Sequence, residues 1–256
     1  MTKRPVLAAI LALAAVAGAL VPNPAIAQSG SPAGGAPTAP QREATPEESQ
    51  RGTDVVYRPP LRGAPGGRVG GASRGAIRPP APLPTIELLA PDDHAGQTIS
   101  ATPTLYYFVS RPVSWPMQLT IRAPLQPAPA LEATIQSARA PGIYPLRLAD
   151  YHARLEPGVV YTWSVSIILD PKAWSRNIVA SAPILRAPPV SLSESAASVD
   201  GQRQAATLAR AGLWYDAVAA AFDNRAADRH AALDRLMEQV GLTEAARVDR
   251  AAAGTP

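Results

Sequence analysis

The 256-residue sequence contains no cysteine. Disulfides, thiol nucleophiles, thiolate metal ligands and a cysteine-borne lipid are all excluded, so the fold must rest on a packed core alone. Histidine is scarce, with three residues in unrelated contexts (His94, His152 and His230), and aromatic residues make up 5% of the chain. A strong charge of either sign is also missing, since 24 Lys+Arg stand against 20 Asp+Glu. No partner class follows from so small an excess. Long hydrophobic runs are absent except for one at the start.

That run, Val6 to Val21, follows Lys3 and Arg4 and leads through Pro22 and Pro24 to Ala25-Ile26-Ala27. The order is that of a cleavable secretory signal peptide over residues 1–27. An uncleaved anchor is the competing reading, but the run is Ala-rich and at the short end of the roughly 20 residues that a spanning helix needs. The expected product is exported, to the periplasm, the medium or the outer membrane surface, with no transmembrane segment after cleavage. Removing Lys3 and Arg4 leaves 22 basic against 20 acidic residues.

Proline (29) and glycine (18) are unevenly placed. Residues 28–84 hold a dense share of both and few large apolar side chains. Such a segment buries too little surface to offset the entropy of ordering, which predicts a disordered Pro/Gly/Arg-rich linker. From 85 to 188 the texture changes to short apolar runs with period-two alternation between Pro, Gly and Asp turn signals. Strands are expected at 86–89, 104–110, 117–122, 131–136, 143–148, 159–169 and 177–185. In the clearest, Val159, Tyr161, Trp163, Val165, Ile167 and Leu169 share one face and Thr162, Ser164 and Ser166 the other. Seven such strands predict an all-β sandwich of fibronectin type III or immunoglobulin-like kind. The run from Leu155 through Pro157-Gly158 to Tyr161 and Trp163 resembles the corner before the sixth fibronectin strand, where a tyrosine hydroxyl bonds back to nearby backbone.

After Pro188-Pro189 the period becomes helical and predicts a small C-terminal α-helical region over 189–242. It opens on the capping-box spacing Ser191 to Glu194. Helices are expected at about 193–211, 213–223 and 227–240, with Gly241 as a C-cap and 243–256 as a frayed tail. The Leu208 to Phe222 spacing superficially resembles one tetratricopeptide unit, but no second copy follows to build a solenoid.

The most distinctive stretch in the mature chain runs from Arg62 to Gly75 with alternating Arg and Gly. No GxxxxGK[ST] or GxGxxG pattern lies within it and no helix is signalled after it, so a phosphate loop is excluded. No aromatic is interleaved for base stacking, and export removes the usual nucleic-acid targets. Two readings remain: a solvated linker, or a cationic strap in which Arg62, Arg68 and Arg74 meet a partner. Asp92-Asp93-His94 reads as a turn rather than a metal site. No serine elbow is present, and a carboxylate pair drawn from residues such as Glu132, Asp150 or Asp170 stays open as a hydrolase alternative. Trp163 and Trp214-Tyr215 fall at core periods. Trp115 and Trp174, in Pro-flanked loops, are the candidates for exposed contact.

Taken in order, Arg62-Gly-x-Pro65-Gly-x-Arg68-Val-Gly-Gly71-x-x-Arg74, Pro103-Thr-Leu-Tyr-Tyr, Tyr161-Thr-Trp163, Asp170-Pro171 and Gly212-Leu-Trp214-Tyr215-Asp216-Ala217 resemble the family called Domain of Unknown Function 928. The resemblance covers about residues 60–242 and departs at Ile167-Ile168-Leu169, where many members carry a cysteine. It implies an exported protein and brings no activity, cofactor or catalytic residue. The expected function is therefore that of a non-enzymatic envelope protein that binds a protein or glycan partner, without cofactor or metal and without nucleic acid. The alternatives are an envelope hydrolase with a carboxylate site, and an adaptor that docks through an exposed apolar patch around Trp214 and Phe222.

Overall fold

The structure, a computed structural model, describes residues 54–59, 68–70, 82–188, 201–223 and 229–253. The expected signal peptide, most of the expected linker and the capping box at Ser191 lie outside the described residues.

Among the described residues nine strands form two sheets: β1 (Val69–Gly70), β2 (Ile86–Leu88), β3 (Gly96–Thr98), β4 (Thr104–Val109), β5 (Met117–Arg122), β6 (Leu131–Ile135), β7 (Gly142–Arg147), β8 (Val160–Ile167) and β9 (Ile178–Arg186). One sheet has the order β1-β2-β4-β7 and the other β3-β9-β8-β5-β6. The pairings between these strands are antiparallel except that of β3 with β9. Each of the seven expected strands is present. The two unexpected ones, β1 and β3, are two and three residues long, too short for alternation to show in the sequence.

The inner faces meet in one core. Met117, Leu119 and Ile121 on β5 lie in register with Ile167, Val165 and Trp163 on β8, all buried, against Ile86, Leu88, Leu105 and Val109 of the other sheet. The Tyr161 hydroxyl reaches back along the chain and accepts from the Glu156 N–H at 3.3 Å, as the corner pattern predicts. Gly158, at φ +77°, supplies the left-handed turn before it.

Four helices follow among the described residues: α1 (Gly201–Arg210), α2 (Trp214–Asp223), α3 (Arg229–Gln239) and α4 (Thr243–Ala253). They cover the outer face of the four-stranded sheet. Tyr106 of β4 meets Phe222 of α2 with ring centroids 4.7 Å apart, and Ile143 of β7 shares a hollow with Leu233 and Val248. That sheet is thus buried on both sides, and Leu105 to Val109 are buried without a break. The segment expected to fray is instead α4. Its alanines are good helix formers, and Ala245 and Ala246 pack fully buried because small side chains allow close approach.

Pieces of the expected linker join this body. In 54–59 the extended chain buries Val55 and Tyr57 and exposes Asp54, Val56 and Arg58. The Gln239 side chain donates to the Val55 carbonyl and accepts from the Tyr57 N–H, while the Arg58 N–H donates to the Ala209 carbonyl. The expectation of a solvated linker does not extend to these residues or to 68–70. Two large side chains and these backbone hydrogen bonds tie the piece to the body.

Candidate functional site

Among the described residues no helix covers the outer face of the five-stranded sheet, which is mainly polar but carries the exposed Val179. Alternation on β8 and β9 turns Thr162, Ser164, Ser166, Val179 and Ser181 outward, and β5 and β6 add Gln118, Thr120, Arg122, Glu132 and Thr134. Strand pairing lines these up across the sheet. One row runs Glu132, Thr120, Ser164, Ser181, and the next Thr134, Gln118, Ser166, Val179. A shallow groove over the face is bordered by Trp174.

Trp174 stands on the β8–β9 loop with 64% of its surface exposed. The loop is held at every turn. The Asn177 side-chain oxygen accepts from the N–H groups of Leu169 and Asp170 at 3.0 and 3.2 Å. The Asp170 carboxylate accepts from the Lys172 N–H at 2.9 Å and pairs with Arg176 at 3.2 Å, and its carbonyl accepts from the Ala173 N–H. A short 3-10 turn, Trp174–Arg176, completes it. The Asp170-Pro171 motif thus shapes the support of an exposed indole.

The other expected contact residues lie elsewhere. Arg62 and Arg74 are outside the described residues. Arg68 is 7% exposed, and its guanidinium donates to the Ala90 carbonyl at 3.1 Å and to Val240 and Gly241 at 2.5 and 3.3 Å, where α3 ends. A cation among the last carbonyls of a helix complements its dipole. Burial pushes the neighbouring Glu87 carboxyl above its usual range, and Arg68 draws it back. Two residues on, a Cβ on Gly70 would lie 2.7 Å from the Val179 carbonyl carbon and 2.8 Å from the Ala180 nitrogen, so only glycine fits where β1 crosses β9. Trp115 is half-buried against the core, and its carbonyl accepts from the Ser137 hydroxyl.

Leu213 to Asp216 build the joint between helices and sheets. The Trp214 indole N–H donates to the Leu89 carbonyl at 2.8 Å. The Tyr215 hydroxyl accepts from the Trp163 N–H at 2.8 Å and donates to the Pro183 carbonyl at 3.1 Å. The Asp216 carboxylate accepts from the Thr98 hydroxyl and the Ile99 N–H at 3.1 and 3.0 Å. Burial pushes this carboxyl up to about 6, against the pull of those bonds. Trp214 is fully buried and Phe222 half-buried, so the two do not present a joint exposed patch.

The histidines divide. His94 is 2% exposed and sits between Asp93, at 2.6 Å from Nδ1, and the Tyr57 hydroxyl, at 2.7 Å from Nε2. Burial and the Asp93 charge both push the Tyr57 pKa up. Tyr57 also packs edge-on against Trp214 at 4.9 Å. His230 pairs with Asp249 at 2.6 Å between α3 and α4. No three His, Asp or Glu side chains converge as metal ligands among the described residues. Of the acids open to pairing, Asp170 bonds to Arg176, Glu132 lies on the sheet face and Asp150 is exposed on the turn Leu148–Tyr151.

The exposed indole was legible in its loop, and the hydroxyl side of β8 in its alternation. Gln118, Thr120 and Arg122 were not, because only the pairing of β5 with β8 brings them beside Ser164 and Ser166. No curated protein and no solved structure matches the chain. A family model described as Domain of Unknown Function (DUF928) matches residues 69–249, from the strand carrying Gly70, through the Trp174 loop and the Trp214 joint, into α4, and the chain belongs to that family.

Proposed function

We propose that this protein is an exported, non-enzymatic binding protein of the cell envelope, built on a fibronectin type III-like sandwich, and that it meets its partner through the outer face of the five-stranded sheet and Trp174. The observation that carries the reading is Trp174 itself, 64% exposed on a loop whose turns are all hydrogen-bonded. Leaving a large aromatic in water forgoes its burial, and a fixed loop loses little entropy when a partner arrives. The strand division supports the fold assignment. With β2, β4, β5, β6, β7, β8 and β9 taken as strands A, B, C, C′, E, F and G, A, B and E share one sheet and C′, C, F and G the other. The signal-like start, Lys3 to Ala27, supports export.

Co-sedimentation of the purified full chain with isolated envelopes of the producing cell tests the reading. The chain is expected in the pellet, with Trp174→Ala retained at least about tenfold less, the loss of about 1.4 kcal/mol. Equal retention of the variant would remove the sheet face from the binding role.

A further inference from the structure

We infer that the ligand of this face is a neutral glycan chain, a conclusion that rests on the sheet face being the binding surface. The floor of the groove is made of hydroxyl and amide groups: Thr120, Ser164 and Ser166, with Gln118 beside them. A sugar ring presents a rim of hydroxyls, each a donor and an acceptor, together with a flat patch of C–H groups. Serine, threonine and glutamine side chains match the rim in both roles, and an indole matches the C–H patch, offering an apolar face beside a polar N–H. The rows cross the sheet at strand spacings of about 4.8 Å, comparable to the advance of one ring in an extended polysaccharide. A linear glycan laid across the strands along the row Thr120, Ser164 and Ser181 therefore meets a fresh hydroxyl from each of β5, β8 and β9.

Charge narrows the class. Arg122 and Glu132 border the groove, one of each sign, so it carries no net formal charge to select an acidic or a basic polymer. A nucleic acid would need a row of cations to replace its counterions. A protein partner would be expected to seat aromatic or Arg anchors in a desolvated apolar centre, whereas serine is depleted from interfaces and Ser and Thr are under-represented among hot spots. The floor here is built from those residues.

The test is binding of the labelled full chain to an immobilised array of neutral, acidic and amino-sugar oligosaccharides, with titration of the strongest ligands. A neutral glycan is expected to bind. Trp174→Ala should weaken it at least about tenfold, Trp174→Tyr should recover part of the loss, and Thr120→Val with Ser164→Ala should weaken it severalfold while the denaturation midpoint stays unchanged. Preference for acidic sugars, or binding indifferent to Trp174, would overturn the inference. So would silence across the array; if envelope sedimentation still depended on Trp174, the sheet face would stand and only the ligand class would fall. Silence together with Trp174-independent sedimentation would remove both.

Discussion

Arg68 shows how a residue with the chemistry of a contact can be committed to the interior. Its guanidinium serves three carbonyls, two of them at the end of α3, some 170 residues along the chain. Arg68→Ala is expected to cost about 3 kcal/mol, because buried acceptors are left unpaired. Arg68→Lys should recover only part of this, since an ammonium cannot reach three carbonyls in the guanidinium plane. Urea denaturation reads both, and an unchanged midpoint for Arg68→Ala would return the residue to the surface. Gly70→Ala should destabilise comparably by a different route, because the added carbon meets backbone rather than a movable side chain. Tyr215→Phe removes a single polar atom: the indole N–H of the fully buried Trp163 loses its acceptor and the Pro183 carbonyl loses a donor, for about 1–3 kcal/mol. The Arg/Gly pattern was conspicuous in the sequence while its cause was not, since no spacing rule connects Arg68 to Gly241 or Gly70 to Val179.

Among the elements, α2 carries the joint between the layers, and its pH response can be worked out in sign. The Asp216 carboxyl, held at about 6 by burial, binds a proton more tightly when folded than in the unfolded chain, where it titrates near an ordinary aspartate value of about 3.9. Its stabilising contribution is complete below the unfolded value and is lost as pH rises through about 6. In Asp216→Asn the amide oxygen still accepts from the Ile99 N–H, and the amide group donates to the Thr98 hydroxyl. The stability difference between wild type and variant, measured by urea denaturation, should therefore shift against the wild type between pH 4.5 and pH 7.5. A difference flat in pH would show that the carboxylate is not desolvated at this joint. The comparison cancels Asp234, which burial also pushes up to about 6 and which both proteins share. Strand β8 was legible because one of its faces is wet. The near-continuous burial of β4 reflects helices that arrive from a hundred residues later, and the short β3 gains its meaning only from Asp216.

At the scale of the whole molecule, one wet sheet face stands opposite a helix-covered one, and 54–59 ties the helices together from outside. Asp54 meets Arg235 at 3.1 Å and offers its carbonyl to Arg210, Gln239 brackets Val55 and Tyr57, and Tyr57 closes over His94 and Trp214. Such a segment resists reading from sequence, because the run Val55-Val56-Tyr57 is too short to show a period, and its hydrogen-bond partners come from α1 and α3. Removing residues 1–59 should lower the urea midpoint, because the burial of Val55 and Tyr57 and the hydrogen bonds to Gln239, Ala209 and Arg210 are lost with it. The loss should also be local. Hydrogen exchange should quicken in α1 and at the end of α3, while the amides of β5 and β8, on the far side of the core, keep their protection. Glycan or envelope binding through Trp174 should survive the truncation, since the loop Leu169–Asn177 is held by its own hydrogen bonds. Uniform acceleration across both sheets would mean instead that this segment belongs to a single cooperative core, and binding would then fall with it.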